Sequence, residues 1–171
     1  MFMEVLIVDI CIAPIMLEQK SVLSQMMELY NYDFSEFSNE DINEYGYFGY
    51  SHIDAYWNEE DRYPFFIRIA GKLAGFVLIR SCREYSDLKS PHNIAEFFVM
   101  KKYRRHGVGK CAAMKVFDYF PGDWEVSQWA NNLSAQSFWK SVISAYTSDQ
   151  YDTFISTENE VVGFTFNNSS A

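Results

Sequence analysis

The stretch from Glu96 to Lys110 contains the residue types best suited to chemistry. Five of its side chains are basic and fall within ten consecutive positions, although the chain of 171 residues has a formal net charge of −9. A local cationic group in an acidic protein indicates a site for an anion. Gly107 and Gly109 lie at the start of a predicted helix, whose first turn has unpaired N–H donors and the positive end of the helix dipole. The segment from Arg104 to Lys110, called the glycine turn below, is therefore predicted to bind phosphate.

Patterns of apolar residues predict the elements that hold the glycine turn. Ile94–Met100 is a nearly all-apolar run, typical of a central strand, and Val108–Phe120 has helical spacing until Pro121. Further strands are predicted at Glu4–Ala13, Phe65–Ile69, Leu73–Arg80, Trp124–Trp129, Tyr151–Ser156 and Val161–Asn167, and further helices at Leu17–Tyr32 and Ser134–Tyr146. Because no repeat or linker interrupts this order, we expect one mixed α/β domain over residues 1–171.

Composition narrows the class of protein. Hydrophobic residues make up 49% of the chain and charged residues 22%, which is typical of a globular protein. The three cysteines are odd in number and lie in apolar segments, so we expect buried, reduced thiols and a cytoplasmic location. The apolar N-terminus carries Glu4 and Asp9 and no basic residue, so it reads as a strand and not as a signal peptide. No segment predicts a membrane span, and no spacing of Cys or His is typical of a metal site.

Two other phosphate-binding classes fit the glycine turn poorly. A nucleic-acid arm could use the basic residues, but the acidic remainder of the chain would repel a phosphate backbone. A Walker nucleotide loop needs an earlier glycine where this chain has Arg104, and a hydroxyl residue where it has Cys111. A dinucleotide-binding turn needs a third glycine, which is absent.

Three segments together resemble the GCN5-related N-acetyltransferase (GNAT) superfamily. They are Glu96–Val99 (EFFV), Tyr103–Gly109 (YRRHGVG) and Asn132–Lys140 (NLSAQSFWK). The predicted order of elements also matches the family fold from about residue 4 to 167. The resemblance implies a mixed, mostly antiparallel central sheet flanked by helices, in which a splayed strand pair binds the cofactor.

The resemblance also implies acetyl-coenzyme A as the acetyl donor. Its pyrophosphate would lie on the backbone amides of Arg105–Lys110, and its pantetheine arm would pair with the backbone near Val99 and Met100. The side chains of Arg104, Arg105 and Lys110 are candidates for the 3′-phosphate. Asn132 either contacts the pantetheine or caps the following helix. The implied cofactor-binding residues are Val99, Met100, Arg104, Arg105, His106, Gly107, Val108, Gly109, Lys110 and Asn132.

Catalytic groups are where the sequence departs from the family pattern. The resemblance implies a carboxylate base on the central strand, which is Glu96 here; a structural ion pair or an edge position is the alternative. In spermidine/spermine-like members the base lies one residue earlier, where this chain has Ala95. The usual acid, a tyrosine, is replaced by Trp139, whose indole cannot donate a proton near neutral pH. Tyr146, two helical turns further on, is the substitute candidate.

The segment Asp33–Asp61, called the acidic segment below, predicts the kind of acceptor. It contains nine acidic residues, no Lys or Arg, and many aromatic residues. In the family this region borders the acceptor pocket, and carboxylates and aromatic faces attract ammonium groups, so the expected acceptor is a cationic primary amine of a small molecule or peptide. The alternative is that the acidic residues form a solvated surface that only keeps the protein soluble. The expected function is amine acetylation, with a noncatalytic acyl-CoA-binding module as the alternative, and the family also allows a homodimer.

Overall fold

A seven-stranded sheet forms the centre of the computed structural model, which describes residues 9–82, 85–89 and 91–169. The strands, in chain order, are β1 (Ile10–Pro14), β2 (Arg62–Ile69), β3 (Lys72–Ser81), β4 (His92–Val99), β5 (Asp123–Trp129), β6 (Asp152–Ser156) and β7 (Val161–Asn167). The helices are α1 (Lys20–Phe34), α2 (Ala55–Asn58), α3 (Val108–Tyr119) and α4 (Leu133–Thr147). The predicted mixed α/β architecture is thus confirmed, while the start of the first predicted strand, residues 4–8, lies outside the described part.

The strand order β1-β2-β3-β4-β5-β7-β6 is antiparallel at every step except one. Strands β4 and β5 are parallel and pair only at His92 with Trp124 and at Asn93 with Glu125. Beyond these two pairs the strands diverge and leave an opening in the sheet. The predicted splayed strand pair is therefore present, and the glycine turn follows its first strand.

The two faces of the sheet are covered by different helices. Leu23, Met26, Met27 and Tyr30 of α1 have i, i+3, i+4, i+7 spacing and pack with Phe76 in one core cluster. On the other face, α3 and α4 form a second cluster around the fully buried Trp124 of β5. The opening between β4 and β5 thus lies between α1 on one face and α3 and α4 on the other.

The exposure of the cysteines differs in part from the prediction that all three are buried. Cys11 is exposed and not buried as predicted, because it alternates along β1 with Ile10 and Ile12, which face the core. Cys82 and Cys111 are partly buried. None of the helices within the described ranges has both the length and the apolar character needed to cross a bilayer.

Candidate active site

Two adjoining cavities occupy the opening between β4 and β5. The larger cavity has a volume of about 980 Å³ and is bordered by α1, the acidic segment, β4 and β5. The smaller cavity, of about 660 Å³, is bordered by α1, the end of β4, the glycine turn and α4. Both are within the size range of small-molecule sites. The residues that line both cavities are Tyr30, Phe34, Phe97, Asn132, Ala135 and Trp139.

The backbone of the glycine turn forms the base of the smaller cavity. Gly107 has φ 75° and precedes α3, and Arg105 has φ 63°, so two residues in the left-handed region turn the chain sharply into the helix. The Cys111 amide donates to the carbonyl of Gly107 at 3.0 Å, which is the first turn of helical hydrogen bonding. The amides of residues 108–110 precede this bond, so their N–H groups are available to an anion.

Gly109 allows α3 to approach its neighbours closely. A Cβ atom at this position would lie 3.2 Å from the ring of Phe138 on α4 and 3.7 Å from the ring of Phe97 on β4. A larger residue would therefore push the start of α3 away from both elements. The second glycine serves helix packing as well as access to the backbone.

The Arg104 side chain is held by contacts with other residues of the protein, although it is 39% exposed. Its Nε donates to the carbonyl of Val99 at 2.6 Å, its guanidinium pairs with the carboxylate of Asp33, and its Cζ lies 5.6 Å from the Phe98 ring centroid. Lys101 Nζ lies 2.9 Å from the other oxygen of Asp33. Burial opposes ionisation of Asp33, but its two cationic partners outweigh that effect and lower its pKa. The last turn of α1 is thereby tied to the glycine turn.

The smaller cavity includes most of the residues predicted to bind the cofactor. Those that line it are Val99, Arg104, Arg105, Gly107, Gly109, Lys110 and Asn132. Met100, His106 and Val108 do not: the Met100 amide donates to the Ala74 carbonyl at 2.8 Å, His106 is exposed, and the Val108 side chain is buried. The Asn132 side chain caps α4 by accepting from the Ala135 amide at 3.0 Å, which is one of its two predicted roles.

A bulge in β4 determines where Glu96 lies. Leu78 of β3 pairs with Glu96 and Ile79 pairs with Ile94, so Ala95 is an extra residue in the ladder. As a result Ala95 and Glu96 both line the larger cavity, and Ala95 packs in the same cluster as α1. Strict alternation would have placed these neighbours on opposite faces. The one-residue difference from the spermidine/spermine-like pattern therefore does not remove Glu96 from the cavity.

Two tyrosines lie beside the Glu96 carboxylate. The phenols of Tyr30 of α1 and Tyr50 of the acidic segment both interact with it and are placed to act as hydrogen-bond donors. Burial, followed by the negative charge of Glu96, raises the pKa of each phenol well above its ordinary value, so both remain protonated donors. The carboxylate is thus oriented at the wall of the larger cavity.

Glu28 explains why Tyr50 lies beside Glu96. Its carboxylate, on α1, accepts from the backbone amides of Phe48 and Gly49 at 2.8 Å each. Asn31, also on α1, donates to the Gly49 carbonyl at 2.9 Å. These contacts fix the residues before Tyr50 against the helix that carries Tyr30.

Trp139 and Tyr146 occupy different environments on α4. Trp139 is buried, lines both cavities and packs at 5.0 Å from the Phe97 ring. Tyr146 packs against Phe117 and donates to Asp118 at 2.8 Å, and neither cavity includes it among its lining residues. The structure therefore brings Trp139, and not Tyr146, to the candidate site.

Some carboxylates of the acidic segment line the cavities, and others form ion pairs. Glu40 and Asp41 line the larger cavity together with Glu96, while Asp33 and Glu36 line the smaller one. Asp54 pairs with Lys20, and Glu59 pairs with Arg62 at 2.5 Å. No Lys or Arg is found among the described residues that line the larger cavity, which makes its wall acidic.

Several site residues were not identified from the sequence. Tyr30 lies within the predicted helix Leu17–Tyr32 and belongs to no motif, and the ion pair of Asp33 with Arg104 joins residues 71 positions apart. Gln128 lines the larger cavity from β5, although nothing but its polarity within an alternating strand distinguished it. These roles depend on which elements meet in space, and no local motif encodes them.

The site and fold can be compared with known proteins. A sequence model described as the acetyltransferase (GNAT) family matches residues 23–142, which is more than half of the chain. No curated protein sequence matches.

Several solved structures have the same fold. An acetyltransferase from Thermus thermophilus has a TM-score of 0.70 at 11% identity, covering 97% of this chain and all of that one. Spermidine N-acetyltransferase from Vibrio cholerae, solved with CoA and spermine, has a TM-score of 0.63 at 10% identity, covering 95% and 97%. Ribosomal-protein-S18-alanine N-acetyltransferase from Escherichia coli has a TM-score of 0.60 at 14% identity, covering 95% and 96%. At these identities the likeness establishes the fold.

Proposed function

The chain belongs to the GNAT acetyltransferase family, and from this premise we propose that it transfers the acetyl group of acetyl-CoA directly to a cationic primary amine. The observation that carries the proposal is the pair of adjoining cavities, one bordered by the glycine turn and one by carboxylates. Two of the structural relatives act, by their names, on spermidine and on a ribosomal-protein alanine. Both acceptors are amines, which supports an amine as the acceptor class.

The smaller cavity is suited to the donor. The amides of residues 108–110 would hold the pyrophosphate, because they have the free donors and the dipole of a helix N-terminus. Lys110 and Arg105 line the same cavity and are exposed, so they remain candidates for phosphate contacts. The unpaired part of the β4–β5 opening would take the pantetheine arm. Acetyl-CoA supplies the activated acetyl group there.

The larger cavity is suited to the acceptor. Its lining carboxylates, Glu40, Asp41 and Glu96, attract an ammonium group, and no Lys or Arg among its described lining residues competes. The nucleophile must be the neutral amine, so a proton has to leave the nitrogen before or during attack. We assign this proton to Glu96, directly or through water. The C–N bond then forms, the C–S bond breaks, and the thiolate takes a proton from water.

Tyr30 and Tyr50 are positioning residues in this proposal. Each phenol is placed beside Glu96 as a donor, which would keep the carboxylate in one orientation at the cavity wall. Tyr146 has no part in it, because its hydroxyl is bound to Asp118 outside both cavities. Trp139 is a wall of the site and supplies no proton.

Release of free thiol from acetyl-CoA with a panel of amines tests the proposal. The panel should hold size constant and vary charge, from neutral through monocationic to dicationic amines. We expect the cationic amines to react fastest, and the acetylated product should be identified by mass. Binding of acetyl-CoA by calorimetry without thiol release for any amine would instead favour the noncatalytic acyl-CoA-binding module. A preference for neutral or anionic acceptors would contradict the proposal that the larger cavity binds a cationic amine.

A further inference from the structure

Gln128 lines the larger cavity and carries a buried, unpaired hydrogen-bond acceptor. Its side chain is 7% exposed, and its Nε2 donates to the Val162 carbonyl of β7 at 2.7 Å. Its Oε1 is buried and has no hydrogen-bond partner within the described residues. Because Gln128 also borders the larger cavity, a small movement of its side chain would bring this acceptor to a ligand there.

The orientation of this amide is fixed by its neighbour. A flipped side chain would place Oε1 against the Val162 carbonyl, so that two acceptors would face each other. The observed assignment, with Nε2 towards Val162, is therefore the one that forms a bond. A buried carbonyl without a donor is unfavourable, so a ligand that supplies the donor recovers free energy.

The position in β5 is one where the pattern calls for an apolar residue. Trp124 and Val126 alternate along β5 into the core cluster beneath α3 and α4, and Gln128 is the next residue on that face. One end of the Gln128 amide, Nε2, is used inside the protein by its bond to Val162. The other end, Oε1, has no use among the described residues, which leaves it for a ligand.

We propose that Gln128 Oε1 accepts a hydrogen bond from a second N–H group of the amine acceptor, while the reacting nitrogen lies at Glu96. This inference rests on the proposed function and adds to it that the acceptor carries two N–H-bearing nitrogens, as a diamine does. The acidic lining at Glu40 and Asp41 favours a charged second nitrogen. The cofactor is the less suitable donor, because Gln128 is not among the residues that line the smaller cavity.

Two ligands of equal charge isolate the N–H contact. The first is 1,4-diaminobutane, and the second is its derivative with a trimethylammonium group at one end, which keeps the charge and has no N–H there. Each is titrated by calorimetry into the full chain saturated with CoA. A hydrogen bond from a charged donor contributes a factor of about 10 to 100 in affinity. We expect the unmodified chain to bind the diamine more tightly than the trimethyl compound by that factor.

Variants then assign the preference to one side chain. Gln128→Met is close in shape and lacks the acceptor, so it should bind both ligands with equal affinity. Gln25→Met, an exposed position on α1 outside both cavities, is the matched control and should keep the preference. Thermal unfolding of each variant establishes that it is folded. If Gln128→Met does not fold, the two ligands still decide the matter in the unmodified chain, where equal affinities overturn the proposal.

Other outcomes separate this inference from the proposed function. If Gln128→Met retains the diamine preference, or weakens CoA binding and leaves amine binding unchanged, the inference is overturned. Acetylation by the unmodified chain would then still stand on thiol release. Conversely, a diamine preference that Gln128→Met abolishes supports the inference even where no thiol is released, a result that counts against the transferase and not against the subsite.

Discussion

Asp33, in the last turn of α1, forms an ion pair with Arg104 at the start of the glycine turn, across 71 positions of sequence. The helix that carries Tyr30 into both cavities therefore also holds the turn proposed to bind pyrophosphate. Acceptor and donor regions are connected through a single element, α1. Changes on this helix are expected to affect both.

Asp33→Asn should weaken this connection. Loss of the charged partner of Arg104 and Lys101 should lower the free energy of unfolding by about 1–3 kcal/mol and raise the Kd for acetyl-CoA several-fold. Asp54→Asn is the matched control, since Asp54 pairs with Lys20 on the surface with a side chain that is 64% exposed. Surface pairs of this kind contribute about 0–1 kcal/mol. Equal effects of the two substitutions, by denaturant unfolding and calorimetry, would contradict the prediction.

Glu96→Gln should abolish most of the acetylation. Removal of a general base lowers kcat by about 10²- to 10⁴-fold, while the shape of the cavity and the Kd for acetyl-CoA should remain unchanged. The measurement is steady-state thiol release together with calorimetry. Rates that stay the same across the pH range would eliminate Glu96 from the reaction.

Tyr30→Phe should shift the pH dependence of the reaction. A hydrogen bond to a carboxylate favours its charged form, so its loss should move the acid limb of the pH–rate profile to higher pH. We expect kcat at neutral pH to fall by about tenfold. Tyr32→Phe, two residues along α1 and 70% exposed, is the control and should leave the profile unaltered. A profile of unchanged shape in Tyr30→Phe would refute the positioning role.

Gly107→Ala should damage the glycine turn specifically. A side chain at φ 75° costs about 1–2 kcal/mol, although no neighbouring atom lies within 4 Å of the added Cβ. Gly46→Ala introduces the same strain at φ 82° in the acidic segment. Both should lose similar stability, but only Gly107→Ala should weaken acetyl-CoA binding. Unaltered affinity in Gly107→Ala would argue against backbone recognition of the pyrophosphate.

His92 should make the fold less stable in mild acid. Burial lowers its pKa, and the opposing effects of the Pro121 carbonyl and of Asp123 do not restore it. Below about pH 6.5 the unfolded chain therefore binds a proton that the folded chain does not, and the free energy of unfolding falls as the pH falls. His92→Gln should flatten this dependence between pH 7 and the folded pKa, whereas His106→Gln, at an exposed position, should not. Denaturant unfolding at several pH values measures it.

The sequence was informative wherever the structure is local. The strand before the glycine turn, the left-handed Gly107 and the helix after it follow from neighbouring residues, and so does the Asn132 cap. The bulge at Ala95 was not predictable, because it depends on the register of β4 against β3. The partners of Glu96 and Arg104 come from α1 and the acidic segment, and such contacts arise only when distant elements pack. Tyr146 matched helical spacing, yet its two-turn offset carries it to Asp118 and away from the cavities.

The parallel step between β4 and β5 divides the sheet into two hydrogen-bonded ladders, one of four strands and one of three, which within the described strands share only two residue pairs. Each ladder has its own internal pairing, so the seam between them is the place where the sheet has least cooperativity. A ligand bound across the seam contacts both ladders and so links them. Its binding should therefore slow amide hydrogen exchange along both facing strand edges and draw the two ladders into a single unfolding transition.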